Sequence, residues 1–146
     1  MQVNVVKLSS WRIPRQFINQ WLDDVAKQIK KATGQSIKEL EITIAFVDSR
    51  QIRKLNQDFR SKAKVTDILS FSGDEESVLG ELAICGEVVD RQAGENQLRR
   101  NEELGYLLIH GILHLLGYEH EQGGAAETEM FAIQDKIFDV LRKRYF

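Results

Sequence analysis

The chain is poor in the residues that announce a specialised architecture, with one cysteine, one proline and three histidines among 146 residues. The single Cys85 excludes an internal disulfide framework. Because it closes the apolar stretch Leu82-Ala83-Ile84-Cys85, it reads as a small buried hydrophobe. No internal repeat, linker or low-complexity tract interrupts the chain. No apolar run approaches the roughly 20 residues that span a bilayer, and Met1 to Trp11 lacks the uninterrupted apolar core of a secretory signal. No membrane partner and a cytoplasmic location are therefore expected. Charge of one sign is also scarce: the formal net charge is −2, so the global field offers a polyanion no attraction. Contact with nucleic acid would need a local patch. One runs from Arg50 to Lys64, where Arg50, Arg53, Lys54, Arg60, Lys62 and Lys64 are basic and Asp58 alone is acidic, although such runs usually solvate a helix face.

What is present is an ordinary globular composition, 42% hydrophobic and 29% charged, at a length that makes residues 1–146 a single domain. Val3, Val5 and Leu8 indicate a first strand. Phe17, Ile18, Trp21, Leu22, Val25 and Ile29 recur at helical spacing, with Ser10 as a plausible N-cap, Pro14 in the first turn and Gly34 as the stop. Leu40, Ile42, Ile44 and Phe46 alternate as a strand, after which Asp48 or Ser49 caps a helix that carries Ile52 and Leu55 inward. Thr66 to Phe71 and Leu79 to Cys85 read as two further strands joined by an acidic loop. From Gly86 the spacing turns helical, weakly at first and then strongly from Leu104 to Leu116, with a closing helix over Met130 to Leu141. These elements predict an α+β fold: one four-stranded mixed sheet, about five helices, and the very hydrophobic helix before Gly117 at the centre. Strand order stays open.

All three histidines fall in the window His110-Gly-Ile-Leu-His114-Leu-Leu-Gly117-Tyr-Glu-His120. His110 and His114 are i and i+4 on a predicted helix, so one metal ion can bridge their imidazoles. Gly117 can end the helix in a left-handed conformation and turn the chain so that His120 returns as a third ligand. One zinc per chain on His110, His114 and His120, with a fourth position open to water, is the expected cofactor arrangement. The same spacings occur in metzincin proteases, whose general-base glutamate follows the first histidine. Here that position is Gly111, so peptide hydrolysis loses its best support.

The window resembles the metal motif of the YbeY family of single-domain endoribonucleases, His-Gly-x-Leu-His-Leu-x-Gly-Tyr-Asp-His, with Glu119 in the Asp position. The resemblance continues upstream through Leu55-Asn56-Gln57-Asp58-Phe59-Arg60, Thr66-Asp67-Ile68-Leu69-Ser70-Phe71 and Leu79-Gly80-Glu81-Leu82-Ala83-Ile84, in the family's order. Ser72 stands where the family usually has proline. The resemblance implies a zinc-dependent endoribonuclease that cleaves single-stranded RNA. It implies a role in rRNA maturation, including the 3′ end of small-subunit rRNA, and in ribosome quality control, with rRNA precursors and the ribosome or ribosomal proteins as partners and no dinucleotide cofactor. It also places a functionally important arginine at Arg60, whose guanidinium suits bidentate contact with phosphate oxygens. Arg60 and His114 are thus the residues expected to carry the chemistry. Asp67 could orient a ligand imidazole or merely cap a turn, and Glu119 could act as a base for the attacking water. Two rivals stay open: a metalloprotease-like hydrolase, and a noncatalytic ribosome-binding module whose structural zinc takes Cys85 as a fourth ligand.

Overall fold

The computed structural model describes residues 1–119 and 123–146. The elements follow the order β1 (Gln2–Lys7), α1 (Arg15–Thr33), β2 (Glu41–Val47), α2 (Ser49–Arg60), β3 (Ile68–Ser72), β4 (Val78–Cys85), α3 (Gly86–Glu95), α4 (Arg100–Leu115) and α5 (Gly124–Tyr145). The four strands form one mixed sheet in the order β1-β2-β4-β3. β1 and β2 run parallel, as do β2 and β4, whereas β3 pairs antiparallel with β4 and lies at the edge. The expected α+β fold is present, and the strand order is now defined.

Alternation along the strands sorts side chains onto two faces. Ile42, Ile44, Leu82 and Ile84 join the large core under α1, α4 and α5, while Ala83 and Cys85 join Val47, Ile52, Leu69 and Val88 in a smaller cluster on the other face. α1 buries Ile18, Trp21, Leu22, Val25, Ala26 and Ile29, one stripe of a 3.6-residue period. α4 packs against β3, β4, α1, α3 and α5, the central position its hydrophobicity predicts.

The start of α1 differs from the sequence reading, β3 begins later, at Ile68, and α5 begins earlier, at Gly124. α1 begins at Arg15 with Pro14 in the N-cap position, so Ser10 caps nothing. Trp11 is buried, its ring stacks on Phe46 at 5.3 Å and its indole N–H donates to Asp90 Oδ2 at 3.0 Å. These contacts hold the preceding segment as a turn over the end of the sheet, and Pro14 disfavours helical backbone at Ile13. By contrast α2 starts as expected: Asp48 Oδ1 accepts the Gln51 N–H at 2.8 Å and Gln51 Oε1 accepts the Asp48 N–H at 2.8 Å, a reciprocal cap.

Candidate metal centre and cleft

α4 places His110 and His114 one turn apart, both half-buried, with their Nε2 atoms 3.1 Å from each other. Nδ1 of His110 faces the opposite way and lies 3.0 Å from the carboxamide oxygen of Gln134 on α5. An amide oxygen only accepts, so His110 carries its proton on Nδ1 and directs the Nε2 lone pair toward His114. Two ligand nitrogens at about 2.0–2.1 Å from one tetrahedral zinc ion lie roughly 3.3 Å apart. The pair therefore has the donor type and the convergence that zinc requires. Among the described residues no group of three His, Cys, Asp or Glu side chains is arranged to hold a metal. The third expected ligand, His120, lies outside the described residues.

The end of α4 follows the sequence expectation closely. The Gly117 N–H donates to the His114 carbonyl at 3.0 Å and the Tyr118 N–H to the Leu113 carbonyl at 3.0 Å, with Gly117 at φ 97°. This is the Schellman arrangement, and its left-handed residue is glycine because any Cβ there is strained.

Gly111 points the other way, into the sheet. A Cβ at this position would lie 2.8 Å from both Ile68 Cδ1 and Leu82 Cδ2, side chains that are themselves buried. The position that holds the base in a metzincin is therefore occupied here by close packing of α4 on β3 and β4, with no room for a carboxylate.

Beside the histidines opens a cleft of about 770 Å³. His110, His114 and Glu119 line it together with Arg60, Lys62 and Lys64, so half of the basic run shares a cavity with the histidine pair. Arg60 closes α2, and Ser61 turns the chain at φ 56°. Buried Asn56 then fastens the basic loop to the helix: its Nδ2 donates to the Lys64 carbonyl at 3.0 Å, and its own carbonyl accepts the Lys62 N–H at 3.2 Å. Two of the remaining cations of the run are engaged locally, with Lys54 3.9 Å from Asp58 and Arg53 donating to the Ala63 carbonyl.

A family model described as Endoribonuclease YbeY matches residues 5–142. This chain belongs to the endoribonuclease YbeY family. A relative from Bdellovibrio bacteriovorus, named Endoribonuclease YbeY, is 42% identical over 146 residues, covering 99% of this chain and 97% of its own length. One of the same name from Sulfurihydrogenibium is 37% identical over 145 residues, covering 96% and 94%. The solution structure of a Thermotoga maritima protein matches with a TM-score of 0.67 at 28% identity, over 99% of this chain and 91% of that one.

Within this YbeY-family chain the structure also sorts the residues whose roles the sequence left open. Asp67 ties the start of β3 to α3: its carboxylate accepts the Ile68 N–H at 2.7 Å and the Gln92 carboxamide at 3.1 Å. It is Gln134 that holds the His110 ring, a residue the sequence analysis passed over. In the fold it is a fully buried polar side chain on the apolar stripe of α5, among Met130, Ile137, Phe138 and Leu141. Cys85 is fully buried on the sheet face opposite the one that carries α4, near Ser49 Oγ at 3.7 Å. That location makes it core filling and removes it from the histidines.

Proposed function

We propose that this chain is a zinc-dependent endoribonuclease that cleaves single-stranded RNA. Its role would be in rRNA maturation, including the 3′ end of small-subunit rRNA, and in ribosome quality control, with rRNA precursors and the ribosome or its proteins as cytoplasmic partners. The names of the relatives support RNA as the substrate. The observation that carries the reading is the facing of two imidazole Nε2 atoms, 3.1 Å apart, into a cleft that Arg60 also lines. No helix among the described residues is long and apolar enough to cross a membrane.

His110, His114 and His120 would hold the zinc ion, which when bound supplies Lewis-acid charge beside a phosphate oxygen and lowers the pKa of water. The protein's own groups do the rest. Gln134 fixes the His110 tautomer from behind. Arg60 pairs with phosphate oxygens as negative charge builds on them, while Lys62 and Lys64 draw the polyanion into the cleft. With Asp67 engaged by Ile68 and Gln92, Glu119 is the cleft carboxylate assigned to take a proton from the attacking oxygen. That oxygen belongs either to water, which displaces the 3′-oxygen and leaves a 5′-phosphate, or to the neighbouring 2′-hydroxyl, which displaces the 5′-oxygen and leaves a 2′,3′-cyclic phosphate. In both cases the departing oxygen takes up the proton that Glu119 received.

The test pairs metal analysis with digestion. Purified protein should contain about one zinc per chain and cut single-stranded RNA but not an unstructured peptide, and His114→Ala should lose both zinc and cleavage. Stoichiometric zinc retained by His114→Ala would refute the histidine assignment, and peptide cleavage would move the chain to the protease class despite Gly111.

A further inference from the structure

Phe59 sits in the last turn of α2, next to Arg60, and is 67% exposed. Among the described residues the other exposed large hydrophobics are aliphatic and less open: Val6 at 39%, Leu8 at 51% and Val65 at 38%. An aromatic ring left in water at this level forfeits the burial that a core position would give it. The ring is nonetheless anchored, since it meets Phe71 of β3 edge-on, with centroids 5.1 Å apart and planes at 71°. Both rings line the cleft that holds Arg60, Lys62, Lys64 and the two histidines. The cleft thus combines a fixed, open aromatic surface with three cations.

That combination matches a strand that carries anionic groups and flat apolar rings together. A phosphodiester backbone satisfies the cations, and an unpaired base stacks on an exposed aromatic ring with little dependence on base identity. A base inside a duplex has both faces covered and cannot do so without leaving the stack.

We propose that Phe59 is a base-stacking platform, on which an unpaired nucleobase of the RNA lies while Arg60 engages an adjacent phosphate. The proposal rests on the RNA-cleaving function above and adds to it a binding subsite and a physical origin for single-strand preference. Phe59 is a positioning residue in this scheme, because it touches the base and leaves the reacting phosphate to other groups.

The experiment uses zinc-loaded protein and a short single-stranded RNA that contains 2-aminopurine, free and annealed to its complement. Wild type should alter the 2-aminopurine fluorescence of the single strand on binding and leave the duplex signal largely unchanged. Phe59→Leu should keep its zinc and melting temperature, raise KM for the single strand about tenfold or more, the scale of one lost base stack, and change kcat little. Phe59→Trp should restore KM, since a larger ring stacks at least as well. If wild type cleaves RNA but Phe59→Leu shows an unchanged KM, or Phe59→Trp fails in the same way as Phe59→Leu, the platform is wrong and the nuclease reading stands. A wild-type protein that neither binds nor cleaves RNA would overturn both. A Phe59→Leu protein with a collapsed melting temperature would make Phe59 a packing residue and refute the platform.

Discussion

The carboxamide oxygen of Gln134 lies 3.0 Å from Nδ1 of His110, across the contact between α5 and α4. This bond fixes which imidazole nitrogen is available to a metal, and it costs the fold a fully buried amide whose Nε2 has no hydrogen-bond partner among the described residues. A buried polar atom left unpaired costs about 1–3 kcal/mol. Gln134→Leu removes that cost but takes the acceptor from the His110 Nδ1–H, so the thermal stability of the metal-free protein should change little. The same change should weaken zinc binding by about 10- to 100-fold, as loss of outer hydrogen bonds to ligand histidines generally does. Competition with a chromophoric chelator measures this. An unchanged zinc affinity would reduce Gln134 to a core amide with no part in the metal site.

Gly111 is expected to resist even the smallest enlargement. The Cβ of Gly111→Ala would meet Ile68 and Leu82 at 2.8 Å, and overpacking of this kind costs about 1–3 kcal/mol. Relief of glycine's poor helix propensity returns about 1 kcal/mol. The net loss should be roughly 1 kcal/mol in urea denaturation. Gly111→Glu, which restores the protease's base by sequence, should instead prevent stable folding, because its carboxylate would enter the sheet interface. A well-folded Gly111→Glu protein with peptidase activity would overturn this account of the packing.

Glu103 gives the stability a defined pH dependence. It is buried in the first turn of α4, and burial raises its pKa above the ordinary 4.5. Asp67 and Glu95 add to the rise and a hydrogen bond from Asn96 opposes it. In the folded chain this carboxyl therefore holds its proton more tightly than in the unfolded one. The stability it provides is complete below the unfolded pKa and is lost as pH rises through the folded value. Glu103→Gln should thus have little effect near pH 4 and stabilise the protein progressively toward about pH 7, relative to wild type in the same buffer. Thermal melts across that range test the sign. A variant that loses stability at neutral pH would show that the charged carboxylate is favoured where it stands.

Much of this arrangement was legible in the residues, and the parts that were not share a cause. The stripe from Ile18 to Ile29, the alternation of Ile42, Ile44 and Phe46, and the helix stop at Gly117 are local patterns, and each element lies where its pattern places it. The histidine pair was legible for the same reason, since i and i+4 are neighbours on any helix. Ser10 misled because Trp11 is captured by Phe46 and Asp90, partners 35 and 79 residues away, as subtraction of their numbers shows. Gln134 was invisible because its meaning depends on which helix α5 packs against. The strand order has the same origin: β4 inserts between β2 and β3, a choice made by long-range pairing that no window of sequence displays.

Arg60 is the residue whose placement came from resemblance and whose position now has a structural basis. It ends α2, where the helix's partial negative charge favours a cation, and Ser61 and Asn56 turn and fasten the chain beyond it so that it borders the histidine cleft. A guanidinium there can pair twice with oxygens that gain charge in a phosphoryl transition state, and removal of one such preorganised donor typically costs 100-fold or more in rate. Arg60→Ala should therefore retain zinc and fold, while kcat on single-stranded RNA falls by about 100-fold. Arg60→Lys should recover little, because an ammonium lacks the planar fork. The contrast with Phe59→Leu is diagnostic, since that change should act on KM and this one on kcat. Single-turnover cleavage at saturating RNA separates them: near-wild-type turnover with weakened binding in Arg60→Ala would make Arg60 a backbone contact like Lys62 and Lys64, and would leave the histidine centre to stabilise the transition state without it.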